Sequence, residues 1–70
     1  MASIGIKEEY INKYYLSMRA EVRNGYEVYI VTLAIDYGDI GLYSKVRDYT
    51  SPDRKKALAT YNRYKRAIQA

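Results

Sequence analysis

The Asn24-Gly25 dipeptide constrains this chain more than any other feature, because it stands between two stretches in which apolar and polar residues alternate. Before it run Tyr14, Leu16, Met18, Ala20 and Val22; after it run Tyr29, Val31, Leu33 and Ile35. Asn-Gly between such stretches is a preferred type I′ hairpin turn, which needs positive φ at both central residues. The same Gly would also serve as the left-handed cap of a helix, and Ile11, Tyr14, Met18 and Val22 fit a helical face, so residues 14–23 admit a second reading. The hairpin is favoured because pairing Arg23 with Tyr26 across the turn brings both alternating series onto one sheet face.

The rest of the fold is built around that hairpin. Residues 26–35 are rich in β-branched and aromatic types and predict a strong strand. Residues 42–49 predict another, set off by Gly38 and Gly41. From residue 52 the period changes to that of a helix. Ser51 suits the N-cap, Pro52 the first helical position and Asp53 the positive helix end. Ala57, Leu58, Tyr61, Tyr64 and Ile68 share one face, with Lys55, Lys56, Arg63 and Arg66 largely opposite. If the third strand turns Leu42 and Val46 inward, Leu58, Tyr61 and Ile68 cover the sheet. Residues 4–13 predict a short amphipathic N-terminal helix. The expected architecture is one α+β domain over residues 1–70, a three-stranded antiparallel sheet with the C-terminal helix packed on one face and the short helix preceding it.

Composition excludes much chemistry. The 70 residues include ten Tyr but no Phe, Trp, His or Cys. Without Cys there is no disulfide framework, and without Cys or His the usual zinc, haem and iron-sulfur sites cannot form. A general base near neutrality is most often His, and activated nucleophiles need a base beside them, so a non-enzyme without cofactors is expected. Asp36 and Asp39 flank a turn but lack the other ligands of a calcium loop, and no metal site is expected. The uncharged run Val28 to Ile35 is far shorter than a membrane span, and the first residues lack the basic and apolar segments of a secretion signal. A soluble, cytoplasmic chain is therefore the expectation, to which the absence of Cys conforms.

Charge and tyrosine point to binding. The net charge is +4, yet residues 1–50 carry six basic and seven acidic side chains, whereas residues 51–70 carry six basic and only Asp53 acidic. Like charge concentrated in one segment favours anionic partners, nucleic acid or an acidic protein surface. The hairpin register also defines a second sheet face holding Tyr15, Arg19, Arg23, Tyr26, Val28, Ile30, Tyr43, Lys45, Arg47 and Tyr49. Its cations suit phosphates and its rings suit unpaired bases, although Glu21 and Glu27 lie on or near it. The candidate binding residues are Tyr15, Arg19, Arg23, Tyr26, Tyr43, Lys45, Arg47 and Tyr49, with Lys55, Lys56, Arg63 and Arg66 as a second basic patch. Such a helix patch is more often simply a solubilising surface than a contact for phosphate or an acidic protein. Val28 and Ile30 call for a cover on the same face, either the N-terminal segment, a protein partner or a second copy in a homodimer.

Three antiparallel strands followed by a helix resemble the Arm-type amino-terminal DNA-binding domain of phage and transposon integrases. That resemblance implies that Arg19, Arg23, Lys45 and Arg47 face DNA. With the N-terminal helix included, the order is similar to double-stranded-RNA-binding domains, in which basic residues open the last helix as Arg54-Lys55-Lys56-Ala57 do here. The leading functional expectation is a non-catalytic nucleic-acid-binding module. The alternative is a small stand-alone interaction module or inhibitor of the phage or mobile-element type, such as anti-CRISPR proteins.

Overall fold

The computed structural model describes residues 3–36 and 43–69. Gly38, Asp39, Gly41 and Leu42 lie outside the described residues, as do the side chains of Asp36 and Tyr43. Four strands, β1 (Ser3–Ile11), β2 (Tyr14–Arg23), β3 (Tyr26–Asp36) and β4 (Tyr43–Ser51), are followed by one helix, α1 (Arg54–Gln69). The strands form an antiparallel sheet in chain order, each hydrogen-bonded to the next.

The central hairpin follows from its turn. Asn24 and Gly25 have φ of 52° and 81°, as a type I′ turn requires, and Arg23 pairs with Tyr26. From there Leu16 pairs with Leu33 and Met18 with Val31, so the alternating residues of both strands share one face. Residues 14–23 are thus a strand. Leu16, Met18, Tyr29, Val31 and Leu33 form the core with Ala57, Tyr61 and Ile68 of α1. Val22, which shares their parity, is 47% exposed near the turn.

The expected N-terminal helix is instead β1, and the sheet has four strands rather than three. A bulge explains why the period was hidden. Gly5 pairs with Arg19 and Lys7 with Met18, leaving Ile6 unpaired. An extra residue shifts side-chain parity, so Ile4 and Ile6 before it, and Lys7, Glu9 and Ile11 after it, can all address the helix side. The β1–β2 turn puts Asn12 at φ 57°, and its Nδ2 donates to the Ile68 carbonyl at 3.1 Å, satisfying one of the carbonyls left open at the end of α1.

Two further corrections concern β4 and the helix start. Leu33 pairs with Arg47 but Ala34 with Lys45, so Val46 is a bulge residue. It is 45% exposed rather than inward, and Tyr49 packs against the core in its place. The helix begins at Arg54, not Pro52, and its cap is Asp53 rather than Ser51. Asp53 Oδ1 accepts the Lys55 and Lys56 N–H groups at 2.9 and 3.3 Å, and its carbonyl accepts the Ala57 N–H. Ser51 Oγ accepts the Asp53 N–H at 3.0 Å, holding the cap residue in place. Leu58, expected in the core, is 39% exposed.

Candidate binding surfaces

One helix covers one face of the sheet, and no other described element covers the opposite face. On the open face the strand pairings place Glu8 and Tyr10 from β1 and Tyr15, Ser17, Arg19, Glu21 and Arg23 from β2. From β3 and β4 they add Tyr26, Val28, Ile30, Thr32, Ala34, Lys45, Asp48 and Thr50. Its centre is low, since Ser17, Ile30 and Ala34 are buried among their neighbours, while Tyr10 and Tyr26 stand 61% and 73% exposed. A shallow concavity of about 260 Å³ opens beside the β1 bulge between Gly5, Glu8, Tyr15 and Arg19.

Of the residues expected on this face, Tyr15, Arg19, Arg23, Tyr26 and Lys45 are there. Arg47 and Tyr49 are not, because the Val46 bulge turns them to the helix side opposite Leu33 and Val31. Tyr43 pairs through its backbone with Asp36, and its side chain is outside the described set. Glu8 and Tyr10 were missed with the strand that carries them. Their signal was Ile4-Gly5-Ile6 followed by Tyr10, a β-like alternation interrupted by the bulge.

Among the described residues the face is electrically balanced. Its described cations are Arg19, Arg23 and Lys45; its carboxylates are Glu8, Glu21 and Asp48. Arg23 Nε donates to Glu21 at 2.7 Å, holding the Glu21 carboxyl below its ordinary range, and Lys45 Nζ pairs with Asp48 at 3.2 Å. The Tyr15 hydroxyl donates to Glu8 at 2.7 Å, which raises the phenol's pKa, and its ring lies tilted against Tyr10 with centroids 5.0 Å apart. Two of its three described cations, Arg23 and Lys45, are thus paired, and Arg19 makes no ion pair among the described residues.

The outer side of α1 is different. The helix sequence holds Arg54, Lys55, Lys56, Arg63, Lys65 and Arg66 and no acidic residue. Ala57, Thr60, Tyr61 and Ile68 face the sheet, so by helical rotation Lys55, Arg63 and Arg66 point away from it, with Lys56 flanking them. All four are exposed, and none makes an ion pair among the described residues. Arg63 rests 5.9 Å from the Tyr64 ring centroid. Arg54 lies beside the Tyr29 hydroxyl, which donates to Glu27.

Lys65 is used internally, and so is the tip of Tyr61. Glu9 on β1 accepts from Lys65 Nζ at 2.9 Å and from the Tyr61 hydroxyl at 2.7 Å, while Lys7 sits 4.8 Å from the Tyr61 ring centroid. Burial, then the bond to Glu9, raises the Tyr61 pKa strongly; Lys65 and Tyr61 hold Glu9 below the ordinary carboxylate value. This cluster clips β1 to α1 and leaves Lys55, Lys56, Arg63 and Arg66 as the outward charge.

No helix among the described residues is long and apolar enough to cross a membrane. No family model, curated protein or solved structure matches the chain.

Proposed function

We propose that the protein is a non-catalytic nucleic-acid-binding module whose principal contact is the outer side of α1. The observation that carries this reading is the placement of Arg54, Lys55 and Lys56 in the first helical turn, which has no acidic residue. Cations there oppose the helix dipole, at about 0.3–1 kcal/mol each at low ionic strength. A helix that needed charge only for solubility would mix signs and use glutamate–lysine pairs four residues apart. Here the unfavourable end is loaded with cations and Arg63 and Arg66 extend the same sign along the outer surface. Such a surface attracts phosphate and gains affinity by releasing counterions. An α-helix of about 10–12 Å diameter also fits the roughly 12 Å major groove of duplex DNA. The charge-balanced sheet face is secondary in this reading, although the expectation from sequence set it first.

The test is fluorescence anisotropy with mixed-sequence duplex and single-stranded DNA and RNA over a salt series. Two variants accompany the wild type, one with Lys55, Lys56, Arg63 and Arg66 changed to Gln, the other with Arg19, Arg23 and Lys45 changed to Gln. Binding that weakens steeply with salt, and whose slope falls by about 3–4 in the helix variant but little in the sheet variant, supports the proposal. Absence of binding at low salt overturns it, and loss only in the sheet variant moves the contact to the other face.

A further inference from the structure

We infer that the open sheet face is the contact between two copies of this chain, packed face to face about a two-fold axis lying across the strands. The inference does not depend on the nucleic-acid reading, because it uses the opposite side of the molecule.

Self-complementarity is written in two adjacent rungs of the central hairpin. Arg19 pairs with Ile30 in one rung and Glu21 with Val28 two residues further, so each rung carries one charged and one aliphatic residue on the open face. A two-fold axis passing between these rungs sets Arg19 of one copy opposite Glu21 of the other, and Val28 over a floor that includes Ile30, itself only 3% exposed. Each contact occurs twice, as an isologous interface demands. The same operation carries Arg23 over the Ser17 position, beside Glu8 on the neighbouring strand, and Tyr26 over Thr32, beside Asp48. Arg19 and Arg23 therefore meet carboxylates of the other copy, Glu21 and Glu8. Arg19, exposed and without an ion pair among the described residues, gains one.

At this register the β2–β3 hairpin of each copy, from the Ser17–Thr32 rung to the turn, lies over that of the other, a smaller contact than the whole face. A chain of 70 residues buries only roughly 60% of its unfolded surface, the regime in which a second copy commonly supplies the missing stability. Tyr26, 73% exposed and within this overlap, is of the side-chain type enriched at interfaces. Face-to-face packing would leave both basic helices on the outside of the pair.

Sedimentation equilibrium of the full chain across the micromolar range tests this. The wild type should sediment at twice the chain mass. Arg19→Glu alone and Glu21→Arg alone should each raise the dissociation constant roughly tenfold or more, and the double exchange should restore it to within a few fold. Tyr26→Asp, at a position 73% exposed, is a second disrupting change that leaves the core untouched. A wild type that remains monomeric overturns the inference, including where a different protein proves to bind the face. A dimer indifferent to the exchange overturns the register and the face. Gln at Lys55, Lys56, Arg63 and Arg66 should abolish nucleic-acid binding and leave the dimer intact, so the two proposals fail separately.

Discussion

Inverting the two first-turn lysines, Lys55→Glu with Lys56→Glu, should stabilise the fold and weaken nucleic-acid binding in the same molecule. With Asp53 as the cap, Lys55 and Lys56 occupy the second and third helical positions, and both side chains are exposed. Each inversion removes an unfavourable charge–dipole interaction and adds a favourable one of about 0.3–1 kcal/mol. Lys and Glu have similar helix propensity, so the backbone is indifferent. Two effects reduce the gain. The new carboxylates stand beside that of Asp53, and a glutamate at position 56 cannot complete a capping box because Ser51 Oγ already accepts the Asp53 N–H. The net expectation is about 1 kcal/mol for the pair, or roughly 4–8 °C in Tm for a domain of this size. Thermal melts at low salt should show it, and it should shrink at 1 M salt, where the Debye length is about 3 Å. Anisotropy should show weaker binding, with the salt slope reduced by about 2. Lys13→Glu with Arg47→Glu changes net charge equally at exposed sites away from the helix N-terminus and should weaken binding less. A lower Tm at low salt, or a gain unchanged at 1 M salt, refutes the dipole reasoning. Unchanged binding refutes the role given to the first turn.

Glu9 should make the fold acid-sensitive. Its pKa is lowered in the folded protein by Lys65 and Tyr61 from an ordinary 4.5, so the unfolded chain binds the proton more readily. The stabilisation is present above about pH 4.5 and is lost as pH falls through the lower folded value. Denaturant melts at pH 7 and pH 3 should show a smaller acid loss for Glu9→Gln than for the wild type, and equal losses would count against the clip. In the core, Leu16→Ala should cost about 2–5 kcal/mol, because Leu16 is 0% exposed. Leu58→Ala, on the partly exposed flank of α1, should change stability by less than about 1 kcal/mol in the same urea titration.

The parts of this fold that could be read from the sequence are those specified locally. Asn24-Gly25 allows the positive φ values of its turn, the turn sets Arg23 against Tyr26, and that pairing dictates the face of every residue in β2 and β3. The apolar stripe Ala57, Tyr61, Tyr64 and Ile68 and the opposing cations follow in the same way from helical geometry, and with them the candidate surface on α1. Edge strands obey no such local rule. In β1 the unpaired Ile6, and in β4 the unpaired Val46, shift side-chain parity by one residue, which only pairing with the neighbouring strand can specify. Hence residues 4–13 resembled a weak helix, and Arg47 and Tyr49 were expected on the face they turn away from. Charge balance on the open face was likewise a tertiary outcome, since Glu8 arrives from β1 and Asp48 from beyond the second bulge. Sequence determined the hairpin, the helix and where positive charge concentrates; the assembled sheet decided which charges are neutralised and which remain outward.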